Sequence, residues 1–177
     1  MDARLYHLQG KTKLVTSAAA TTSALLVEFY AEKLAAVTAH QAHARFVGQY
    51  DVNNTYQYII NREEVQLSWL AKAIGDEGGA VPETSAAIAS SKEKADARTL
   101  FEEDRRNAQV FMDKWRPRVE AMEHARHKAM LRVILGETRE QQRFFEQALA
   151  GRTDLLGRRT HDAGPSHGEV LPARWIE

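Results

Sequence analysis

Two glutamates stand where apolar side chains would be expected. Tyr56, Ile59, Ile60, Leu67, Leu70 and Ile74 recur three or four residues apart, the spacing of one face of an α-helix, and Glu63 falls inside that stripe. Met130, Val133, Ile134, Phe144 and Ala148 repeat the pattern, with Glu137 and Gln141 among them. The two segments superpose at an offset of 74 residues, which sets Ile60 on Ile134, Glu63 on Glu137, Leu70 on Phe144 and Ile74 on Ala148. A carboxylate buried alone is costly unless it is ion-paired, protonated or bound to a metal. Two of them in matching places can share protons, pair with Arg62, Arg105, Arg139 or Arg143, or hold a hard divalent cation. Glu63 and Glu137 are expected to face each other across the core, and their replacement by alanine is expected to act non-additively on stability.

Such a site needs helices to carry it. Leu26, Phe29, Tyr30, Leu34, Val37, Ala44 and Val47 predict a first helix from about Thr21, capped by Thr21, Thr22 or Ser23 and closed by Gly48. Asp51, Asn53 and Asn54 open the second helix, and Gly75, Gly78, Gly79 and Pro82 end it. Thr84 or Ser85 can cap a third, whose stripe is Ala97, Leu100, Phe101, Asp104, Ala108, Phe111 and Trp115. It either stops near Trp115 or runs through Pro117 to about Met122. The fourth closes at Gly151. No segment alternates with period two, so the expectation is an all-α chain of four helices, each roughly 25–30 residues and about 40 Å long. Residues 1–20 form an N-terminal arm, 21–156 the bundle and 157–177 a C-terminal tail, rich in Gly, Pro and charge.

At these residues the chain resembles the ferritin-like superfamily, rubrerythrin-type members especially, over about residues 22–150. The resemblance implies a four-helix bundle with a crossover link between the second and third helices. It also implies a core holding two iron or manganese ions, with one Glu from each of two helices and Glu-x-x-His from each of the other two. In that family the partner ligand lies roughly 33 residues before the glutamate. Counting back from Glu137 and Glu63 reaches Asp104 and Tyr30, both in their stripes. The motif is incomplete. The second helix reads Glu63-x-x-Gln66 and the fourth Glu137-x-x-Glu140, with no histidine in either. The expected metal residues are therefore Glu63, Asp104, Glu137 and Glu140, with Tyr30, Gln66 and Glu32 as neighbours, Glu28 or Glu32 replacing Tyr30 if the register shifts. An all-oxygen set weakens the case for iron. The expectation is an eroded or altered carboxylate site holding no metal, or one to two divalent ions (iron or manganese). The protein would act by binding or assembly, without turnover. Alternatives are an active di-iron or di-manganese oxidoreductase or iron-handling protein, and an unrelated helical scaffold. The link from Gly75 to Ser85 spans at most roughly 36–40 Å, so it can just make the crossing.

Composition excludes other classes. There is no cysteine, hence no disulfide, thiolate zinc site, iron–sulfur cluster or cysteine nucleophile, and a cytoplasmic location is expected. Lys plus Arg equals Asp plus Glu at 24 each, which argues against a phosphate-binding nucleic-acid protein. No apolar run reaches the length of a transmembrane helix. Ser17 to Val27, behind Arg4, Lys11 and Lys13, has some of the make-up of a leader, but it continues into Glu28, Tyr30, Glu32 and Lys33 without a clear cleavage site and reads as the start of a helix. His40/His43 and His124/His127 are i, i+3 pairs that could bind zinc, and chance surface placement is the expected reading. Trp69 and Trp115 are expected in the core or an interface. Phe144 and Phe145 cannot both point inward equally, so one is expected to face a second copy in a homodimer.

Overall fold

Four helices account for the regular structure among the described residues: α1 (Ala3–Ala44), α2 (Tyr50–Asp76), α3 (Ala97–Glu120) and α4 (Ala125–Leu149). The structure, a computed structural model, describes residues 3–82, 96–152 and 154–156, with side chains from Thr22 onward. The predicted tail 157–177 and the caps Thr84 and Ser85 lie outside the described residues.

Both ends of α1 differ from the sequence expectation, and the open choice at Pro117 falls to the helix that runs on. Helix α1 is already formed at Ala3, so Thr21, Thr22 and Ser23 sit inside it and cap nothing. The segment before them holds no proline and a single glycine, Gly10, which costs a helix only about 1 kcal/mol. The same helix ends at Ala44, short of Gly48. There the amide of Asn53 reaches back to donate to the Ala44 carbonyl at 3.0 Å and satisfies a group the helix end leaves open. Helix α3 runs through Pro117 to Glu120. Pro117 sits in the last turn, where the missing N–H costs one hydrogen bond and the helix needs only one more turn.

Side-chain pairs fix how the helices run. Along α1 and α3, His43 meets Asp104, Glu32 meets Trp115 and Glu28 meets Arg118, so these helices are antiparallel. Along α2 and α4, Tyr58 meets Phe144, Gln66 meets Glu137 and Glu77 meets His127, again antiparallel. Arg98 with Leu149 and Glu120 with Arg132 give the same sense to α3 and α4. Helices α1 and α2 form the remaining antiparallel pair. Gly79, just past α2, packs so closely under Ser23 of α1 that a Cβ there would lie 2.5 Å from its Oγ. Glycine is the residue that permits this approach. Among the described residues no helix is long and apolar enough to cross a membrane.

The core is apolar at both ends and polar in the middle. Leu26, Phe29, Leu70, Ile74, Met112, Trp115, Leu131 and Ile134 pack together at one end. Val52, Tyr56, Ile59, Ile60, Phe101, Phe144 and Phe145 pack together at the other. Between them lie Lys33, His40, Glu63, Gln66, Asp104, Thr138 and Gln141, all buried. On α4 the buried line is Leu131, Ile134, Leu135, Thr138, Gln141, Phe144 and Phe145, which keeps Ile134, Gln141 and Phe144 of the expected stripe and leaves out Met130, Val133 and Glu137. Val133 is half exposed and Glu137 lies on the flank. Both Phe144 and Phe145 are buried, against the expectation that one faces outward, because Phe144 packs on Tyr58 of α2 while Phe145 fits between Tyr56 of α2 and His40 of α1. Trp115 is fully buried and Trp69 is partly exposed.

Candidate functional site

The polar layer draws on all four helices, and its charged groups come from α1, α2 and α3. On α1 the buried positions are Leu26, Phe29, Lys33, Val37, His40 and Ala44, spaced three or four apart, so Lys33 and His40 occupy core positions. Helix α2 adds Glu63 and α3 adds Asp104 at the same level.

The result is a chain of alternating charge. The Lys33 ammonium donates to Glu63 Oε1 at 2.7 Å, and His40 Nδ1 lies 2.8 Å from Glu63 Oε2. The other ring nitrogen of His40 faces Asp104 Oδ1 at 3.8 Å. His43 Nδ1 bonds Asp104 at 2.9 and 3.0 Å to its two oxygens, and the Tyr56 hydroxyl donates to Oδ2 at 2.6 Å. Glu63 and Asp104 are at most 1% exposed. Burial alone would raise the Glu63 pKa, but the charges of His40 and Lys33 and their hydrogen bonds bring it down to about 2. Burial alone would lower that of His40, but the charge and hydrogen bond of Glu63 and the charge of Asp104 outweigh it and hold His40 above its ordinary 6.5, against an opposing push from Lys33. Burial, reinforced by Asp104, pushes the Tyr56 phenol far above its ordinary range, so Tyr56 remains a donor.

These shifts give stability a pH profile. The Glu63 contribution is fully present above 4.5 and is lost as pH falls toward about 2. The His40 contribution is fully present below 6.5 and is lost as pH rises through its elevated folded-state value. The pair therefore stabilises most between 4.5 and 6.5. Urea unfolding across pH should show wild type weakening on the alkaline side of that window, and His40→Asn should flatten this limb. Equal alkaline slopes in the two proteins would assign the limb to another group.

The expected site residues divide. Glu63 and Asp104 are brought together through His40. Glu137 is bound instead by Arg62 and by the Gln66 amide, and Glu63 and Glu137 have no partner in common. Gln66 is buried and its Oε1 has no hydrogen-bond partner among the described residues. Glu140 is exposed. Tyr30 packs on the edge of the apolar cluster around Phe29. Glu32 accepts from Trp115 Nε1 at 2.8 Å and pairs with Lys114 at the rim. Surface placement was expected for the histidine pairs, yet His40 and His127 are buried. Lys33, His43, Tyr56 and Thr138 were not expected at the site. For Lys33 and His40 the signal was present, because Phe29, Lys33, Val37, His40 and Ala44 form an unbroken helical stripe.

Beside the ion chain lies a cavity of about 290 Å³, near the lower end of small-molecule sites (roughly 300–1,000 Å³). Lys33, His40, Glu63, Asp104 and Gln141 supply polar groups, and Ala35, Ala36, Ala39, Ala108 and Phe111 the apolar wall. Ala35, Ala36 and Ala39 of α1 and Ala108 of α3 leave the space open, with Phe111 closing one side. Gln141 is 4% exposed and its amide has no hydrogen bond among the described residues, so it offers a donor and an acceptor to the cavity. At the rim Glu28 takes Arg118 at 2.8 Å and Lys114 at 2.9 Å, and the Arg118 guanidinium stacks 4.2 Å over the Trp115 ring.

The residues do not fit a resident two-metal centre. Both Glu63 oxygens are engaged, one by a lysine ammonium, and both Asp104 oxygens carry donors from His43 and Tyr56. The fourth helix presents Thr138 and Gln141, with no carboxylate, to the same level. The chain matches no protein-family model, no curated protein and no solved structure.

Proposed function

We propose that this protein is a ferritin-like bundle in which Lys33 has taken the place of a core metal, and that it acts by binding a compact organic molecule in the cavity beside Lys33. The observation that carries this reading is the Lys33–Glu63 pair at 2.7 Å, with neither group more than 1% exposed. A lysine ammonium supplies, from within the chain, the positive charge that a buried carboxylate needs. The helix order supports the ferritin-like part. Helices α1 and α4 each pack on both α2 and α3, and α2 and α3 run in the same direction, which calls for the crossover link. Gln141, buried without a protein partner, supports a ligand that hydrogen-bonds at one end and lies against Phe111 and the alanines with its body.

A second reading has an observation of its own. Two carboxylates and two imidazoles (Glu63, Asp104, His40 and His43) converge in the core, and as donor types they suit iron or manganese. Metal analysis separates the two. Tag-free protein carrying His124→Ser, which removes the one other grouping of histidine and carboxylate donors found among the described residues (Glu77, His124 and His127), is loaded with Fe(II) or Mn(II) without oxygen, desalted and measured by mass spectrometry, with native mass spectrometry to detect a retained organic molecule. The expected result is no more metal than a protein blank. Two ions per chain would overturn the proposal and establish the metal reading.

A further inference from the structure

A second cluster of ligating atoms lies at the far end of the bundle from His43. Glu77 follows the last residue of α2, His124 is the N-cap of α4, and His127 stands three residues into that helix. His127 Nε2 lies 2.8 Å from Glu77 Oε1 and His124 Nε2 lies 3.5 Å from the same oxygen. The three donor atoms all fall within 4.8 Å of one another. Bonds of about 2.0–2.1 Å to a tetrahedral zinc place ligand atoms about 3.3 Å apart, so two of these separations already bracket that value.

An ordinary ion pair between Glu77 and His127 leaves one fact over: His124 turns its own Nε2 onto the same carboxylate oxygen. The two imidazoles stack with centroids 3.9 Å apart and planes 17° apart, so their in-plane lone pairs run side by side and the exposed His124 ring must turn to bring both onto one ion. No lysine or arginine pairs with Glu77 among the described residues, so its charge faces the two rings alone.

We infer that Glu77, His124 and His127 bind one zinc ion, which staples the end of α2 to the start of α4. Two imidazoles and one carboxylate are the donor set of three-ligand zinc sites, with the fourth position left to water. The burial pattern suits that geometry. The side chains of His127 and Glu77 are 4% and 14% exposed, and that of His124 is 42% exposed, which leaves its side open to solvent. Binding displaces the proton between His127 Nε2 and Glu77 into solvent. His124 must also give up the 3.3 Å bond by which its Nδ1 accepts the His127 backbone N–H, because that nitrogen carries the proton when Nε2 binds metal. The bond is long, and the freed N–H can turn to water.

The test is zinc titration of the full, tag-free chain against a chromophoric chelator. Variants are His127→Ala, Glu77→Gln and His124→Ser, the last of which keeps an N-cap oxygen and so spares the helix start. The expected result is one zinc per chain in wild type, at least tenfold weaker in each variant. Zinc at a hundredfold excess over Kd should raise the wild-type Tm by about 5–10 °C. Wild type that takes no zinc, or zinc binding that His124→Ser and Glu77→Gln leave unchanged, overturns the inference.

Discussion

Replacing Glu63 by alanine is expected to lower the unfolding free energy by about 3–5 kcal/mol, a large part of the stability of a domain this size. The cost comes less from the absent carboxylate hydrogen bonds than from the charges left behind. The Lys33 ammonium and His40 both bond to Glu63, and Glu63 is the largest influence that raises the proton affinity of His40. Remove the carboxylate and two buried cationic groups face each other with Asp104 as the one remaining anion of the layer. Urea unfolding at pH 6 measures the loss. Glu63→Leu combined with Lys33→Met should lose clearly less than the sum of the two single changes, because the uncompensated charges disappear together. Glu137→Ala should cost no more than about 1 kcal/mol, since Arg62, half exposed, and Gln66 are its partners, and it should add to Glu63→Ala without coupling. A Glu63→Ala loss below about 1 kcal/mol would mean that the ion chain does not stabilise the fold.

The second large effect is a gain. Lys33→Ala removes the ammonium and leaves Glu63, His40 and Asp104 lining the cavity it bordered, with His43 on the far side of Asp104. Carboxylates and imidazoles are donors for manganese or iron, and the charge lost with the lysine is restored by a dication. In a His124→Ser background, Lys33→Ala is expected to acquire about one Mn(II) per chain, visible by electron paramagnetic resonance and metal analysis. Lys33→Arg, which retains a cation, should acquire none. Bound Mn(II) should also recover stability that Lys33→Ala loses without metal, by mass action on the folded state. If Lys33→Ala and wild type take up equal metal, lysine is not what keeps metal out, and the proposed role of Lys33 falls.

The all-α bundle is legible in the sequence because its signal is periodic. Four stripes separated by glycine, proline and asparagine clusters leave little freedom in helix number, and the kink-or-stop choice at Pro117 is local. The start of α1 is hidden because Ser17 to Ala24 is nearly uniform in small residues, so its period is faint although nothing in it breaks a helix. Glu63 and Asp104 stand out because each sits alone among apolar neighbours. Glu137 stands out too, and misleads. The superposition of α4 on α2 holds for Ile134 and Phe144, yet the inward position between them is Thr138, about 100° round the helix from Glu137, which lies on the flank. Lys33 and His40 are harder to find because the ferritin-like motif places its histidines within α2 and α4. The structure supplies imidazoles from α1, where the stripe Phe29, Lys33, Val37, His40 and Ala44 marks the positions as buried but says nothing of the carboxylates they meet on other helices.

The Lys33–Glu63 pair also changes what the site depends on. A metal bound between carboxylates has a dissociation constant, competes with other ions and follows their supply. A cation tethered to the backbone has none of these properties. It is delivered once per chain by translation, cannot be chelated and cannot change oxidation state. A core neutralised in this way is assembled as soon as the helices meet, in metal-starved and metal-replete cells alike.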